Sequence, residues 1–307
     1  MSWHRPFRTT SRDGWDVVIE PDASGWEHTG LYAAELAPGT SRALEVRGRE
    51  LLVIPLSGSV SVSSEDSAGR HEATLAGRDS VFAGPTDVAY VPAGSSVTIS
   101  ALGPARVAVA FAVAGKSAQS RTFRHVAVGE VPVELRGAGA ASREVRNFGI
   151  PGVLDADSII ACEVITPAGN WSSYPPHKHD EERPGEETQL EEIYYFEVRS
   201  TERSELDRTS GELPAEGGPG YVRVYGTDER PIDVLAEVRS GDVVLVPHGW
   251  HGPAMAAPGY DLYYLNVMAG PGPERAWRIC DDPAHAWVRD TWADQAIDPR
   301  LPIGGQR

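Results

Sequence analysis

The sequence predicts an all-β chain in two related halves, each a sandwich or barrel of short strands. Three observations predict it. Short β-branched or alternating runs recur along most of the chain, bounded by Gly, Pro, Asp and Ser. Helix-period patterns are scarce, so the runs read as strands of sheets packed on each other and not as βαβ units. A faint internal repeat joins the two parts of the chain.

In chain order, the first half offers strands at 51–56, 59–63, 88–91, 97–100 and 106–111. The second half offers 158–166, 193–198, 221–225, 243–247 and 262–267. Gly and Pro, at 32 and 24 of 307 residues, supply the tight turns that so many strands need. The Gly- and Ala-rich stretch 137–141 and the turn at 147–152 mark a boundary near residue 150, dividing the chain into 1–150 and 151–307. One segment, 283–293, has a helical character. Trp277, Trp287 and Trp292 around it are expected to pack a closing segment against a barrel, with His285 structural.

The repeat has two parts. Arg49-Glu50-Leu51-Leu52-Val53-Ile54 overlays Glu191-Glu192-Ile193-Tyr194-Tyr195-Phe196. Tyr90-Val91-Pro92-Ala93-Gly94-Ser95-Ser96 overlays Leu245-Val246-Pro247-His248-Gly249-Trp250-His251. The second overlay puts Ser96 where His251 stands, and no His-x-His precedes Glu50. The first half thus reads as the same scaffold without metal ligands.

The second half carries the chemistry. Side chains on a strand alternate with a period of two, so His177 and His179 point the same way. Glu191 and Glu192 follow, then His248 and His251, and four of the nine histidines thus fall in this part of the chain. Three imidazoles and one carboxylate would give a divalent cation a three-nitrogen, one-oxygen shell. That set suits Zn or Mn first, with Fe and Ni also compatible. Adjacent Glu191 and Glu192 must face opposite ways.

Composition limits the partners. A net charge of −16 and a pI near 5.0 argue against a nucleic-acid surface. They leave room for an anionic small molecule held by a local Arg. Cys162 and Cys280 are far apart and read as reduced and structural. No apolar run is long enough for a membrane helix, and the first residues lack the apolar core of a secretory signal. The expectation is a cytoplasmic protein with a small-molecule partner, no nucleic acid and no membrane, with a homo-oligomer left open.

The combined motifs resemble the bicupins. The cupin pattern is met by Gly169, His177, His179 and Glu192, then Gly241, Pro247, Gly249 and His251. Two departures stand out: the gap before the glutamate is stretched by 180–191, and the last His follows Gly249 one residue early. With Trp171-Ser172-Ser173-Tyr174-Pro175-Pro176-His177-Lys178-His179-Asp180, Leu190-Glu191-Glu192-Ile193-Tyr194-Tyr195 and Asp261-Leu262-Tyr263-Tyr264-Leu265-Asn266-Val267-Met268-Ala269-Gly270-Pro271, they resemble the 5-deoxy-glucuronate isomerase family of myo-inositol catabolism. That family is related to 4-deoxy-L-threo-5-hexulose-uronate ketol-isomerase.

The resemblance implies two jelly-roll β-barrels, a metal site in the C-terminal one, and isomerisation of 5-deoxy-D-glucuronate to 5-dehydro-2-deoxy-D-gluconate. It implies metal ligands at His177, His179, Glu192 and His251, because ligating glutamates of this fold sit directly before the apolar strand run. Glu191 is then solvent-facing or a partner of the ligands, and His248 a rim residue. The metal would polarise the aldehyde in an enediol or hydride-shift route. A proton shuttle would come from Tyr174, Tyr264, Tyr225 or a water on the metal. The uronate carboxylate calls for a bidentate cation, with Arg223 leading and Arg143 and Arg146 behind it. Lys178 points away from the histidines, toward an outward salt bridge, and is counted with Arg223, Tyr225 and His248 among residues facing substrate. The acidic segment 180–192 reads as a solvated loop, and secondarily as a lid. Two other functions are carried alongside: a metal-dependent dioxygenase of the same scaffold, and a non-catalytic sugar-binding bicupin.

Overall fold

The computed structural model describes residues 2–22, 25–115, 121–201 and 217–304. Each predicted run forms a strand, although 51–56 and 59–63 merge into one long strand, Arg49–Asp66. The segment near 283–293 is a 3-10 helix, Ala286–Asp294. No helix is long and apolar enough to cross a membrane.

The strands form three antiparallel sheets. The first runs Arg124–Val126, Val88–Val91, Arg49–Asp66, Ala105–Val113, Thr29–Leu36 and Val17–Ile19, with Ser41–Glu45, Gly69–Arg78 and Ser96–Ala101 attached through the far end of the long strand. The second runs His4–Arg5, Val243–Val246, Glu191–Ser200, Tyr260–Ala269, Ile160–Thr166, Arg143–Gly149 and Val133–Arg136. The third runs Asp233–Val238, Gly220–Tyr225, Trp250–Ala256, His177–Lys178 and Cys280–Asp281, with Trp171–Ser172 beside Trp250–Ala256. Sheet membership changes between Val126 and Val133, ahead of the boundary expected near 150, and His4–Arg5 crosses to the later sheet. The stretch 137–141 is therefore a hairpin connection within the second sheet.

Three apolar clusters follow from the two-residue period. Within the second half, Val145, Cys162, Tyr194, Phe196, Val222, Val224, Val244 and Met268 fill the space between the second and third sheets. In the first half, Val53, Val60, Leu75, Val97 and Phe111 form the corresponding cluster within the first sheet and its attached strands. The alternate residues, Ile193, Tyr195, Leu245, Tyr263 and Leu265, face Leu31, Leu52, Ile54, Ala108 and Ala110 across the junction of the halves. Buried charge also crosses this junction: Glu163 accepts two bonds from Arg78, at 2.6 and 2.7 Å, and one from Arg146 at 3.1 Å. Of the three tryptophans, Trp277 packs against the second-half core, while Trp287 stays 60% exposed and closes nothing.

Glu50 and Glu191 form a reciprocal clasp. The Glu191 carboxylate accepts the backbone N–H groups of Glu27, His28 and Thr29 at 3.0, 2.7 and 2.6 Å, and the Thr29 hydroxyl at 2.9 Å. The Glu50 carboxylate accepts those of Asp157, Ser158 and Ile159 at 2.7, 2.5 and 2.6 Å, and the Tyr90 hydroxyl at 2.6 Å. Each half thus caps a strand entry of the other. Register agrees: Glu50 lies opposite Ala112, as Glu191 lies opposite Ala269. The repeat therefore aligns Glu50 with Glu191, one residue from the overlay made on sequence. Leu51, opposite Val91, stands where Glu192, opposite Val246, stands in the second half. Glu191 is neither solvent-facing nor a partner of the imidazoles.

Removing a carboxylate that satisfies three backbone N–H groups, that of Thr29 buried and those of Glu27 and His28 part-buried, and the buried Thr29 hydroxyl leaves them without acceptors. Glu191→Ala is expected to cost about 3 kcal/mol of stability, read by chemical denaturation, without lowering the metal bound per folded molecule.

Candidate metal centre

Antiparallel pairing sets His177 directly opposite His251, so their rings meet with centroids 4.4 Å apart. Period two carries His179 to the same side, 4.6 Å from His251 between ring centroids. The donor nitrogens of His177, His179 and His251 all lie within 4.8 Å of one another, and all three residues are buried. Among the described residues this is the only group of three or more His, Cys, Asp or Glu side chains so placed. Glu192 arrives from the facing sheet. Its Oε2 lies 3.0 Å from His179 Nε2 and 3.1 Å from His251 Nε2.

Backbone groups fix how the imidazoles present themselves. His179 Nδ1 lies 3.1 Å from the Leu190 carbonyl, and His251 Nδ1 lies 3.1 Å from that of Gly249. A proton on each Nδ1 satisfies those carbonyls and leaves both Nε2 atoms as lone-pair donors toward Glu192. His251 Nε2 is buried and, although 3.1 Å from Glu192 Oε2, makes no well-formed hydrogen bond among the described residues. A buried nitrogen without a partner, two converging imidazoles and a carboxylate fit a divalent cation, because the cation satisfies all of them at once.

The charges agree. Burial, then the neighbouring His251 and His179, push His177 well below the ordinary histidine pKa, so it is neutral. Burial also disfavours charge on His179, but the hydrogen bond with Glu192 outweighs it and raises its pKa. For Glu192, burial is likewise outweighed by His179 and His251, which hold its carboxyl low. The pairing thus favours a proton between His179 and Glu192, with which a metal would compete.

Asp180 positions the loop that carries His251. It accepts the Gly249 N–H at 2.8 Å and pairs with Arg230 at 2.9 Å and Lys178 at 2.7 Å. Gly249 has φ +91, and a Cβ there would meet the Tyr225 carbonyl oxygen at 2.7 Å, so only glycine fits. Asp180 and the fully buried Glu187 make the segment 180–192 a built ion cluster, contrary to the solvated loop expected from its charge. Asp180 directly follows the His-x-His pair, and that adjacency was the available signal.

The other expected residues separate by strand face. Val222 and Val224 point into the second-half core, so Arg223 and Tyr225 point out. Arg223 pairs with the exposed Asp233 and does not reach the interior. Tyr225 donates to Asp282 at 2.5 Å. Lys178 is held outward by Asp180, Glu181 and Glu187. Arg146 faces the other half, bonded to Glu144 and Glu163. His248 lies apart from the histidine group, half-buried with an unpartnered Nδ1. Tyr174 stands at a cleft, its ring 5.3 Å from that of Trp171.

Tyr264 is buried beside the centre. Its hydroxyl donates to Ser172 Oγ at 2.9 Å and lies 3.1 Å from Ser173 Oγ. Burial raises its pKa to about 12, so the phenol is protonated near neutrality. Tyr194, which sequence reasoning did not single out, has its ring centroid 6.2 Å from that of His251 and its hydroxyl 3.2 Å from Ser173 Oγ. Its position two residues after Glu192 puts it on the same strand face. Ser173 holds φ +48, a conformation few residues other than glycine adopt, and so brings its hydroxyl between the two tyrosines.

Comparison with known proteins matches this arrangement to one family. The KduI/IolB family profile matches residues 3–288. The chain is 38% identical over 288 residues to a 5-deoxy-glucuronate isomerase of Geobacillus kaustophilus, covering 93% of this chain and 95% of that protein. It is 37% identical over 257 residues to that of Bacillus subtilis strain 168, covering 83% and 85%. A crystal structure of an IolB-like protein from Salmonella typhimurium LT2 superposes with a TM-score of 0.78 at 35% identity, covering 93% of this chain and 98% of that one. The Lactobacillus farciminis oxalate decarboxylase, at 12% identity and a TM-score of 0.56 over 84% and 80% of the two chains, shares the bicupin fold alone. By family match, identity and coverage, this chain belongs to the KduI/IolB family.

Proposed function

We propose that this protein is a metal-dependent sugar-acid ketol-isomerase that converts 5-deoxy-D-glucuronate to 5-dehydro-2-deoxy-D-gluconate in the cytoplasmic catabolism of myo-inositol. The observation that carries the reading is a buried three-histidine, one-glutamate cluster in a chain 35–38% identical, over most of its length, to proteins named 5-deoxy-glucuronate isomerase. His177, His179, Glu192 and His251 are the ligands. The second half, from the strand Val133–Arg136 onward, is the working barrel, and the first half is a scaffold whose Leu51 and Ser96 replace two of the ligands.

A divalent metal, Zn or Mn ahead of Fe or Ni, supplies Lewis acidity toward the aldehyde and the neighbouring hydroxyl oxygen. In the net reaction the aldehyde carbon and its oxygen each gain one hydrogen, giving an alcohol, while the adjacent carbinol carbon and its oxygen each lose one, giving a ketone. The protein must therefore hold or move protons at the reacting oxygens. Tyr264, kept protonated by burial and held in place by its hydrogen bonds with Ser172 and Ser173, would give its hydroxyl proton to the oxygen that becomes an alcohol and regain one from the hydroxyl that becomes the ketone. The Leu190 and Gly249 carbonyls hold His179 and His251 in one tautomer throughout. Tyr174, with Trp171, orients the sugar at the mouth of the site.

Elemental analysis of purified protein is expected to find one divalent metal per chain, and complete chelation to abolish turnover of 5-deoxy-glucuronate. Full activity after verified metal removal would overturn the mechanism. His251→Ala should lose the metal while His248→Ala keeps it, and the reverse result would reassign the ligand. Tyr264→Phe should retain the metal and lower kcat about 10²-fold, the size of a lost proton-transfer group; an unchanged kcat removes Tyr264 from the chemistry.

A further inference from the structure

Arg143 is 8% exposed, and no carboxylate of the described residues lies within ion-pair distance of it. The only hydrogen bond of its side chain among the described residues is from Nη1 to the Ala141 carbonyl at 3.1 Å. A buried, unpaired guanidinium is costly, and burial lowers its pKa to about 10. The cost is compounded by register, since Arg136 lies directly opposite Arg143 on the neighbouring strand. Like charges so placed repel. Glu134 pairs directly with Arg136, at 2.8 Å, and reaches Arg143 only at longer range.

The hairpin between these strands is shaped to hold the arginine. Gly137 has φ +77, and a Cβ there would lie 2.6 Å from Arg143 Nη1 and 2.1 Å from the Ala141 carbonyl oxygen. The guanidinium carbon lies 5.5 Å from the centre of the Trp292 ring, and that of Arg136 lies 5.4 Å from the centre of Trp277. Both indole Nε1 atoms are buried without a hydrogen-bond partner. Ala138, Ala141, Trp171, Tyr174, Val288 and Trp292 line a cleft of about 230 Å³, so Arg143 touches its wall at two points. On its other side Arg143 approaches the metal centre. It shares a strand face with Val145, which belongs to the second-half core together with Tyr264 and Tyr194, and the Tyr194 ring lies 6.2 Å from that of His251.

We propose that Arg143, with Arg136 beside it, is the subsite that receives the carboxylate of the sugar acid, between the aromatic cleft and the metal centre. The assignment rests on the isomerase reading for its substrate class and replaces Arg223 in that role. A carboxylate here pairs with the unsatisfied guanidinium in bidentate geometry and separates two like charges, so the site selects uronates over neutral sugars.

The test is calorimetric binding of glucuronate and glucuronamide to the metal-loaded protein. The wild type is expected to prefer the acid at least tenfold, and Arg143→Gln to bind the two equally with its metal content and melting temperature retained. An undiminished preference in Arg143→Gln overturns the subsite. Should Arg143→Gln fail to fold, Arg143→Lys substitutes a single ammonium for the two-pronged contact. The preference should then fall several-fold, and an unchanged preference again overturns the assignment. A wild type that turns over 5-deoxy-glucuronate yet binds acid and amide equally sinks the subsite alone. A wild type without turnover, but with an Arg143-dependent preference, sinks the isomerase reading alone.

Discussion

The two-residue period of a strand, acting on the neighbouring glutamates 191 and 192, is the constraint on which this structure depends. One carboxylate turns toward the first half and collects three backbone N–H groups. The next turns into the second-half interior and meets two imidazoles. Assembly of the halves and formation of the candidate metal site are therefore fixed by the same strand. A one-residue slip would put the clasp in the core and the ligand at the junction, losing both.

The rest of the site is rigid for reasons that reach beyond its four ligands. His177 and His251 are locked by strand pairing, His179 by the Leu190 carbonyl, and His251 again by Gly249, itself tied to Asp180. Lys178, Arg183 and Arg230 neutralise the acidic segment that supplies this tie. That segment is a brace for the ligand loop. Such outer contacts hold imidazole orientation, on which affinity for a metal depends.

Much of this was legible in the residues. Strand positions could be read because apolar alternation and turn residues are local signals, and every predicted run is a strand. The His-x-His pair, the glutamate before the apolar run and the histidine after Pro-x-Gly could be read because ligand spacing follows strand geometry. Less legible was the direction of each cation. Arg223 sits in a strand that looks suited to the interior, yet Val222 and Val224 claim the inner face. Arg143 sits in what reads as a linker region, yet that region is a hairpin of the second sheet.

By itself the sequence determined an all-β chain with two related halves, a candidate metal site in the second, and family membership, since these depend on local periodicity and on motif spacing. Only tertiary structure decided that Glu50 matches Glu191, that Asp180 braces the His251 loop, and that Arg143 is buried without a carboxylate in ion-pair reach among the described residues. Those facts depend on which strands lie opposite one another across long sequence separations. Hydrogen-bond partners and buried charge arise from that pairing, and no window of neighbouring residues contains it.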